Sequence, residues 1–319
     1  MRTILVSGAS GIVGYGVLKS LRNQNLNLIG TSIYSESPAN CFSDKFLLAP
    51  KTSDATYLDW LLSTIQHYRV DMIIPCIEDD MYLWNREREK LNKVTFPLLN
   101  SNPLIQLCRD KWLFYNHLIK YAPDYAIESS LDNNFMLLVK KFGLPFLLKP
   151  RQGFASKGII YVNNLSTFST YQHKIGTELM AQPIVGDNNH EYTISAFFDK
   201  NSNLCCYNQL RRKLAKTGFT EFAETVSLNG IELILNRLSA IFKPVGPTNF
   251  QFRYASGKLK LLEINPRISS STSIRSAFGY NESLMSIKYF IDGIVPSLLP
   301  SRKGKAFRFT EDFIIYSDI

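Results

Sequence analysis

The chain opens on an apolar run, Thr3-Ile4-Leu5-Val6, that passes directly into a glycine turn, Ser7-Gly8-Ala9-Ser10-Gly11-Ile12-Val13-Gly14. A strand with no polar alternation is buried on both faces, the condition of a parallel sheet covered by helices. Residues 3–9 therefore read as a buried parallel strand, residues 12–23 as a helix and residues 27–33 as a second strand. A helix near 54–68, with Tyr57, Leu58, Leu61, Leu62 and Ile65 at helical spacing, and a short apolar strand, Val70–Pro75, extend this βαβ opening into an α/β domain over residues 1–100.

The pattern then changes. Ser101-Asn102-Pro103 reads as a helix start, Ser101 as its cap, and the helix runs to about Lys120. Residues 145–149, 158–162, 178–184, 191–199, 204–213, 248–254 and 259–265 read as strands separated by turns, with helices only near 130–142, 164–175 and 229–242. The expectation is an α/β and α+β molecule, a parallel α/β domain followed by antiparallel sheets.

Composition narrows the function. With 45% hydrophobic and 20% charged residues in 319, disorder and collagen are excluded. The net charge of +9 is uneven: residues 1–100 carry ten basic and ten acidic side chains, residues 101–200 ten against eight, and residues 201–319 sixteen against nine. Demand for positive charge thus lies in the later two thirds, although no nucleic-acid motif accompanies it. No apolar run reaches the roughly 18 residues that cross a bilayer, and the start does not read as a secretory signal, so a cytoplasmic protein is expected. Cys41, Cys76, Cys108, Cys205 and Cys206 have no zinc or disulfide spacing and read as reduced packing residues.

Three segments carry chemistry. The first glycine turn could hold an anion on helix N–H groups, which would suit an NAD-dependent epimerase or oxidoreductase, but its Gly-x-x-Gly-x-x-Gly spacing also suits close packing with no cofactor. Lys149 stands at a strand end before a small-residue loop, Pro150 to Gly158, where a buried lysine calls for an anion. Finally, Thr248–Arg253 and Leu261–Arg267 form a hairpin around Ser256-Gly257-Lys258. With a three-residue loop, Gln251 lies opposite Glu263, and Asn265 shares their face. Few protein oxygens, with phosphate and water completing the shell, are what nucleotide-bound Mg²⁺ needs.

Together these residues resemble the ATP-grasp superfamily, in the branch of the carbamoyl phosphate synthase large subunit. The resemblance spans the glycine turn, Arg109-Asp110-Lys111, the Lys149 loop, Glu178–Ile184, Glu191-Tyr192-Thr193 and Glu263-Ile264-Asn265-Pro266-Arg267. It implies a pre-ATP-grasp domain at 1–100, an N-terminal grasp part at 101–185 with a central lid at about 125–185, and a C-terminal lobe at 186–319. It implies Lys111 and Lys149 on the ATP phosphates, Ser156, Lys157 and Gly158 as a covering loop, Met180 and Ala181 at adenine, and Glu191 on the ribose. It further implies Gln251, Glu263 and Asn265 on Mg²⁺, with Mn²⁺ as a substitute, and Arg267 and Lys149 at the reacting phosphoryl group. Gln182 stands where many relatives carry a hinge glutamate, and the lysine loop holds fewer glycines than usual. The implied activity is a ligase that activates a carboxylate as an acyl phosphate and joins it to an amine. The alternative from the same chemistry is bicarbonate activation. Arg211 and Arg212 are expected to grip a substrate carboxylate; small-molecule acid and amine are the expected partners, and a homodimer the expected assembly.

Overall fold

The computed structural model describes residues 1–153, 158–187, 190–215, 218–255, 257–297 and 301–314. The first layer contains β1 (Arg2–Val6), α1 (Ile12–Leu21), β2 (Leu26–Ser32), β3 (Lys45–Leu48), α2 (Tyr57–Tyr68), β4 (Met72–Ile74), α3 (Glu78–Arg86), α4 (Arg88–Leu91) and β5 (Phe96–Pro97). Its strands form a parallel sheet in the order β3-β2-β1-β4-β5. Ile4, Val6, Met72 and Ile74 pack with Val13 and Val17 of α1, while Leu5, Ile29 and Ile73 pack with Leu61 and Ile65 of α2. Both faces are covered, which is why the opening strand has no polar alternation. The glycine turn is explained by the same packing. Gly8 has φ +57°, and a Cβ on Gly14 would stand 2.5 Å from the Gly8 carbonyl oxygen.

The chain continues through α5 (Asn102–Arg109), α6 (Lys111–Tyr121), α7 (Phe135–Phe142), β6 (Phe146–Pro150), β7 (Ile160–Val162), α8 (Leu165–Tyr171) and β8 (Leu179–Pro183). The last three strands make a small antiparallel sheet in the order β7-β6-β8. The expected single helix from Ser101 to Lys120 is two helices. Asp110 is extended, and its carboxylate accepts from the N–H groups of Trp112 and Leu113, so it caps α6 instead of continuing α5. The expected cap Ser101 makes no such bond.

The remaining elements are β9 (Glu191–Phe198), β10 (Leu204–Leu214), β11 (Thr220–Thr225), α9 (Ile231–Phe242), β12 (Gly246–Ala255), β13 (Lys258–Asn265), α10 (Thr272–Ala277), α11 (Glu282–Phe290) and β14 (Lys305–Phe307). They supply an antiparallel sheet in the order β13-β12-β9-β10-β11-β14. Period-two alternation divides β9 into two faces. Tyr192, Ile194, Ala196 and Phe198 join Phe250, Phe252 and Ile264 in a core closed by Leu104, Phe114 and Leu118 of α5 and α6 and by Leu235 and Leu238 of α9. Each Leu, Ile or Phe side chain among them contributes about 1.5–3 kcal/mol on burial. Glu191, Thr193 and Ser195 point the other way, so one face of the sheet is reserved for polar groups. Ile268 and Ile287 join the core beside α1, tying the segment after β13 to the first sheet.

Candidate active site

The polar face is set by the hairpin of β12 and β13. Gln251 pairs with Glu263 and Asn249 with Asn265, as the sequence led us to expect, although the loop is shorter than expected. Ala255 pairs with Lys258, leaving two residues between the strands, and the register shifts by one between Gln251 and Phe252. A bulge therefore restores the alignment that a three-residue loop would have given directly. Gln251, Glu263 and Asn265 share one face. The Asn265 side-chain N–H donates to Glu263 Oε1 at 3.0 Å, which leaves Asn265 Oδ1 and the second Glu263 oxygen for other partners.

Lys149 stands one residue before the end of β6, the central strand of the small sheet, within reach of the Glu263 and Lys111 charges. It makes no hydrogen bond or ion pair among the described residues. Burial, reinforced by the Lys111 charge and opposed by Glu263, pulls its ammonium down to about 8. Burial pushes the Glu263 carboxyl up, but Lys111, the Asn265 amide, Lys149 and Arg212 more than offset it and leave it below the usual carboxylate range. Lys111 opens α6 at the break made by Asp110, and its Nζ donates to the Gly153 carbonyl at 2.7 Å. Asp110 holds Arg151 at 2.6 Å, fixing the start of the lysine loop against α6. A cation even half removed from water with no partner is costly, and an anion such as a phosphate would remove that cost. The Glu263 carboxylate and the Asn265 amide oxygen, with the Gln251 amide oxygen held for now by Arg212, are a donor set that suits a hard cation keeping phosphate and water ligands.

Arg267 follows Asn265 and Pro266, and its Nη2 pairs with Glu78 at 3.1 Å, each side chain 15% exposed. Glu78 starts α3, so this contact joins the first sheet to the hairpin. Nothing in the sequence pattern linked two residues so far apart. The acidic run Glu78-Asp79-Asp80 at the end of an apolar strand was the available signal.

Several expected roles need correction. Arg211 and Arg212 cannot grip one carboxylate together, because adjacent strand residues point to opposite faces. Arg211 lies opposite Tyr192 and pairs with Glu224 at 2.7 Å. Arg212 is buried, donating to Glu191 at 2.9 Å and to Gln251 Oε1 at 2.7 Å. Glu191 is itself clasped by Arg212 and Arg253, each at 2.9 Å, so both its oxygens are engaged and a ribose contact would have to displace an arginine. Ala181 is also committed: its N–H and C=O bond to Ser130 at 2.8 and 2.9 Å, leaving neither for adenine. Met180 is buried and pairs with Lys149 across the small sheet. Gly158 has φ +75°, while Ser156 and Lys157 lie outside the described residues.

Comparison with known proteins accords with this geometry. Residues 7–99 match the family described as PylC-like, N-terminal domain, and residues 177–311 match ATP-grasp in the biosynthetic pathway with Ter operon. The carbamoyl phosphate synthase large chain of Thermotoga maritima is 23% identical over 338 residues, covering 95% of this chain and 30% of that one. The chain thus spans about a third of the length of the curated relatives it matches. Among solved structures, N5-carboxyaminoimidazole synthetase from Staphylococcus aureus, complexed with ADP, superposes with a TM-score of 0.74 at 17% identity, covering 94% of this chain and 80% of that one. The biotin carboxylase domain dimer of Hydrogenobacter thermophilus 2-oxoglutarate carboxylase, with MgADP, ADP and bicarbonate, gives 0.73 at 15% identity, covering 95% and 73%. A parallel first sheet, a small antiparallel sheet carrying a half-buried lysine, and a large antiparallel sheet whose edge strand runs into Pro266-Arg267 occur in one chain; its fold is that of these solved structures, residues 177–311 match an ATP-grasp family model, and the sequence is similar to the carbamoyl phosphate synthase large chain.

Proposed function

We propose that the chain is an ATP- and Mg²⁺-dependent ligase that activates a carboxylate as an acyl phosphate and joins it to an amine. The observation that carries this reading is Lys149, a half-buried cation with no hydrogen bond or ion pair among the described residues, beside Lys111 and the Glu263–Asn265 pair. Lys111 and Lys149 would neutralise the phosphates, and Arg267 would face the phosphoryl group as the substrate carboxylate attacks the γ-phosphorus. Glu263 and Asn265 would hold Mg²⁺, with Mn²⁺ as a substitute, joined by Gln251 once its Oε1 releases the Arg212 N–H it now accepts, and the bound ion would neutralise charge on the phosphates. Little covalent work falls to the protein; alignment and charge neutralisation supply most of the acceleration. The chain divides into a pre-ATP-grasp part at 1–100, a grasp part at 101–185 with the small sheet as lid, and a lobe at 186–319. The covering loop that includes Ser156 and Lys157 would exclude water from the acyl phosphate. A homodimer is part of the same reading, supported by the dimeric relative. No described helix is long and apolar enough to cross a membrane.

Bicarbonate is a second candidate for the activated acid, favoured by the carbamoyl phosphate synthase relatives and the bicarbonate-bound neighbour. The test is phosphate release from ATP and Mg²⁺ with pooled carboxylic acids and amino acids, or with bicarbonate alone, compared with Glu263→Ala. Release confined to the parent protein and dependent on both acid and amine supports the ligase. Equal release by both proteins contradicts it, and release with bicarbonate and no amine selects the second candidate.

A further inference from the structure

We propose that Glu78 is the acceptor-side residue of this site, holding the ammonium form of the incoming amine and taking its proton. The proposal rests on the ligase reading and names the group that serves its second half. The site carries an excess of positive charge: Lys111, Lys149, Arg212, Arg253 and Arg267 surround it. An ammonium entering such a field needs a carboxylate that can exchange its present partner for the amine. Glu263 belongs to the Asn265 pair and the cation set, and Glu191 is buried between two arginines. Of the acidic run at the start of α3, Asp80 is 2% exposed and takes a hydrogen bond from Thr52 at 2.6 Å, and Asp79 is exposed. Glu78 is left. It reaches Arg267 from the first sheet, remains partly open to solvent, and is held through one guanidinium N–H. Tyr82, one turn further along α3, lies beneath Arg109 with 5.0 Å between guanidinium and ring, giving this side of the cleft a firm wall.

The ion pair also supplies an exchange. When a phosphoryl group draws on Arg267, Glu78 loses its partner, and a cationic amine can replace it. On becoming an amide nitrogen, an ammonium gives up two protons. One passes to Glu78, freeing the nitrogen lone pair to attack the acyl carbon. The second leaves as the C–O(P) bond breaks, and phosphate departs with that electron pair and the proton.

Hydroxylamine provides the test because it is uncharged at neutral pH and traps acyl phosphates without an ammonium to hold. The parent protein, Glu78→Gln and Glu78→Asp are given ATP, Mg²⁺ and a pool of acetate, succinate, gluconate and the twenty protein amino acids, with or without hydroxylamine. Amide and hydroxamate are both quantified, and thermal melting verifies folding. We expect the amide-to-hydroxamate ratio to fall by about a hundredfold in Glu78→Gln and to recover in part in Glu78→Asp. A ratio unchanged in Glu78→Gln, whether both products fall together or neither falls, overturns the proposal and leaves Glu78 as a support for Arg267. Absence of hydroxamate in the parent protein removes the ligase reading itself, and the proposal with it.

Discussion

Lys149 shows how a single side chain can be read for function. It lies half-buried near the end of β6 with no hydrogen bond or ion pair among the described residues, so its charge is partly desolvated without compensation, and in the proposed function a phosphate supplies the missing partner. Lys149→Ala is expected to reduce MgATP affinity by about ten- to hundredfold, from the loss of about 1.5–3 kcal/mol of charged hydrogen bonding, while leaving the melting temperature unchanged or higher. Calorimetry and thermal melting check the two halves separately. The pH dependence follows with a definite sign. Because the native ammonium titrates near 8 and the free lysine near 10.5, the native state binds fewer protons across that interval, and stability rises with pH there. MgATP affinity should fall over the same interval as the charge is lost, and both trends should vanish in Lys149→Ala. The lysine at a strand end was legible in the sequence because burial of that residue type is rare. The roles of Arg211 and Arg212 were misjudged because strand phase puts them on opposite faces, and the partners that absorb them, Glu224 and Glu191, lie on neighbouring strands.

At the scale of elements, alternation in β9, β12 and β13 was the most informative pattern, since it separates an apolar face from a polar one. The bulge in β12–β13 was not legible: two different loop lengths give the same Gln251–Glu263 pair. The break between α5 and α6 was equally hidden, because Asp110 reads as helical until its capping bonds and Arg151 are seen. The elements α10 and α11 attach to the polar face through a fully buried pair, Arg275 to Glu282 at 3.2 Å. Arg275 also donates to Thr193 and Asn249, both at 2.8 Å, and Ser195 donates to Glu282. Glu282→Ala would strand a buried guanidinium and should cost about 3–5 kcal/mol, measurable by urea denaturation. A loss below about 1 kcal/mol would show that this network does not hold the two helices to the sheet.

For the whole molecule, the order of sheets follows the order of sequence patterns, and the change after residue 100 marks the passage from parallel to antiparallel pairing. What the sequence could not show is how the first layer meets the segment after β13. That meeting, through Glu78 and Arg267, Ile268 and Ile287, places a carboxylate of α3 beside the arginine that follows β13. The central claim is that the cations of the site promote attack of a carboxylate on the γ-phosphorus of ATP. It is tested most directly by following ¹⁸O from a doubly labelled carboxylic acid, chosen as one that releases phosphate in the screen, into the products. Transfer of one ¹⁸O atom into each phosphate released is the predicted result. Phosphate free of the label, or label carried into AMP, would contradict the account.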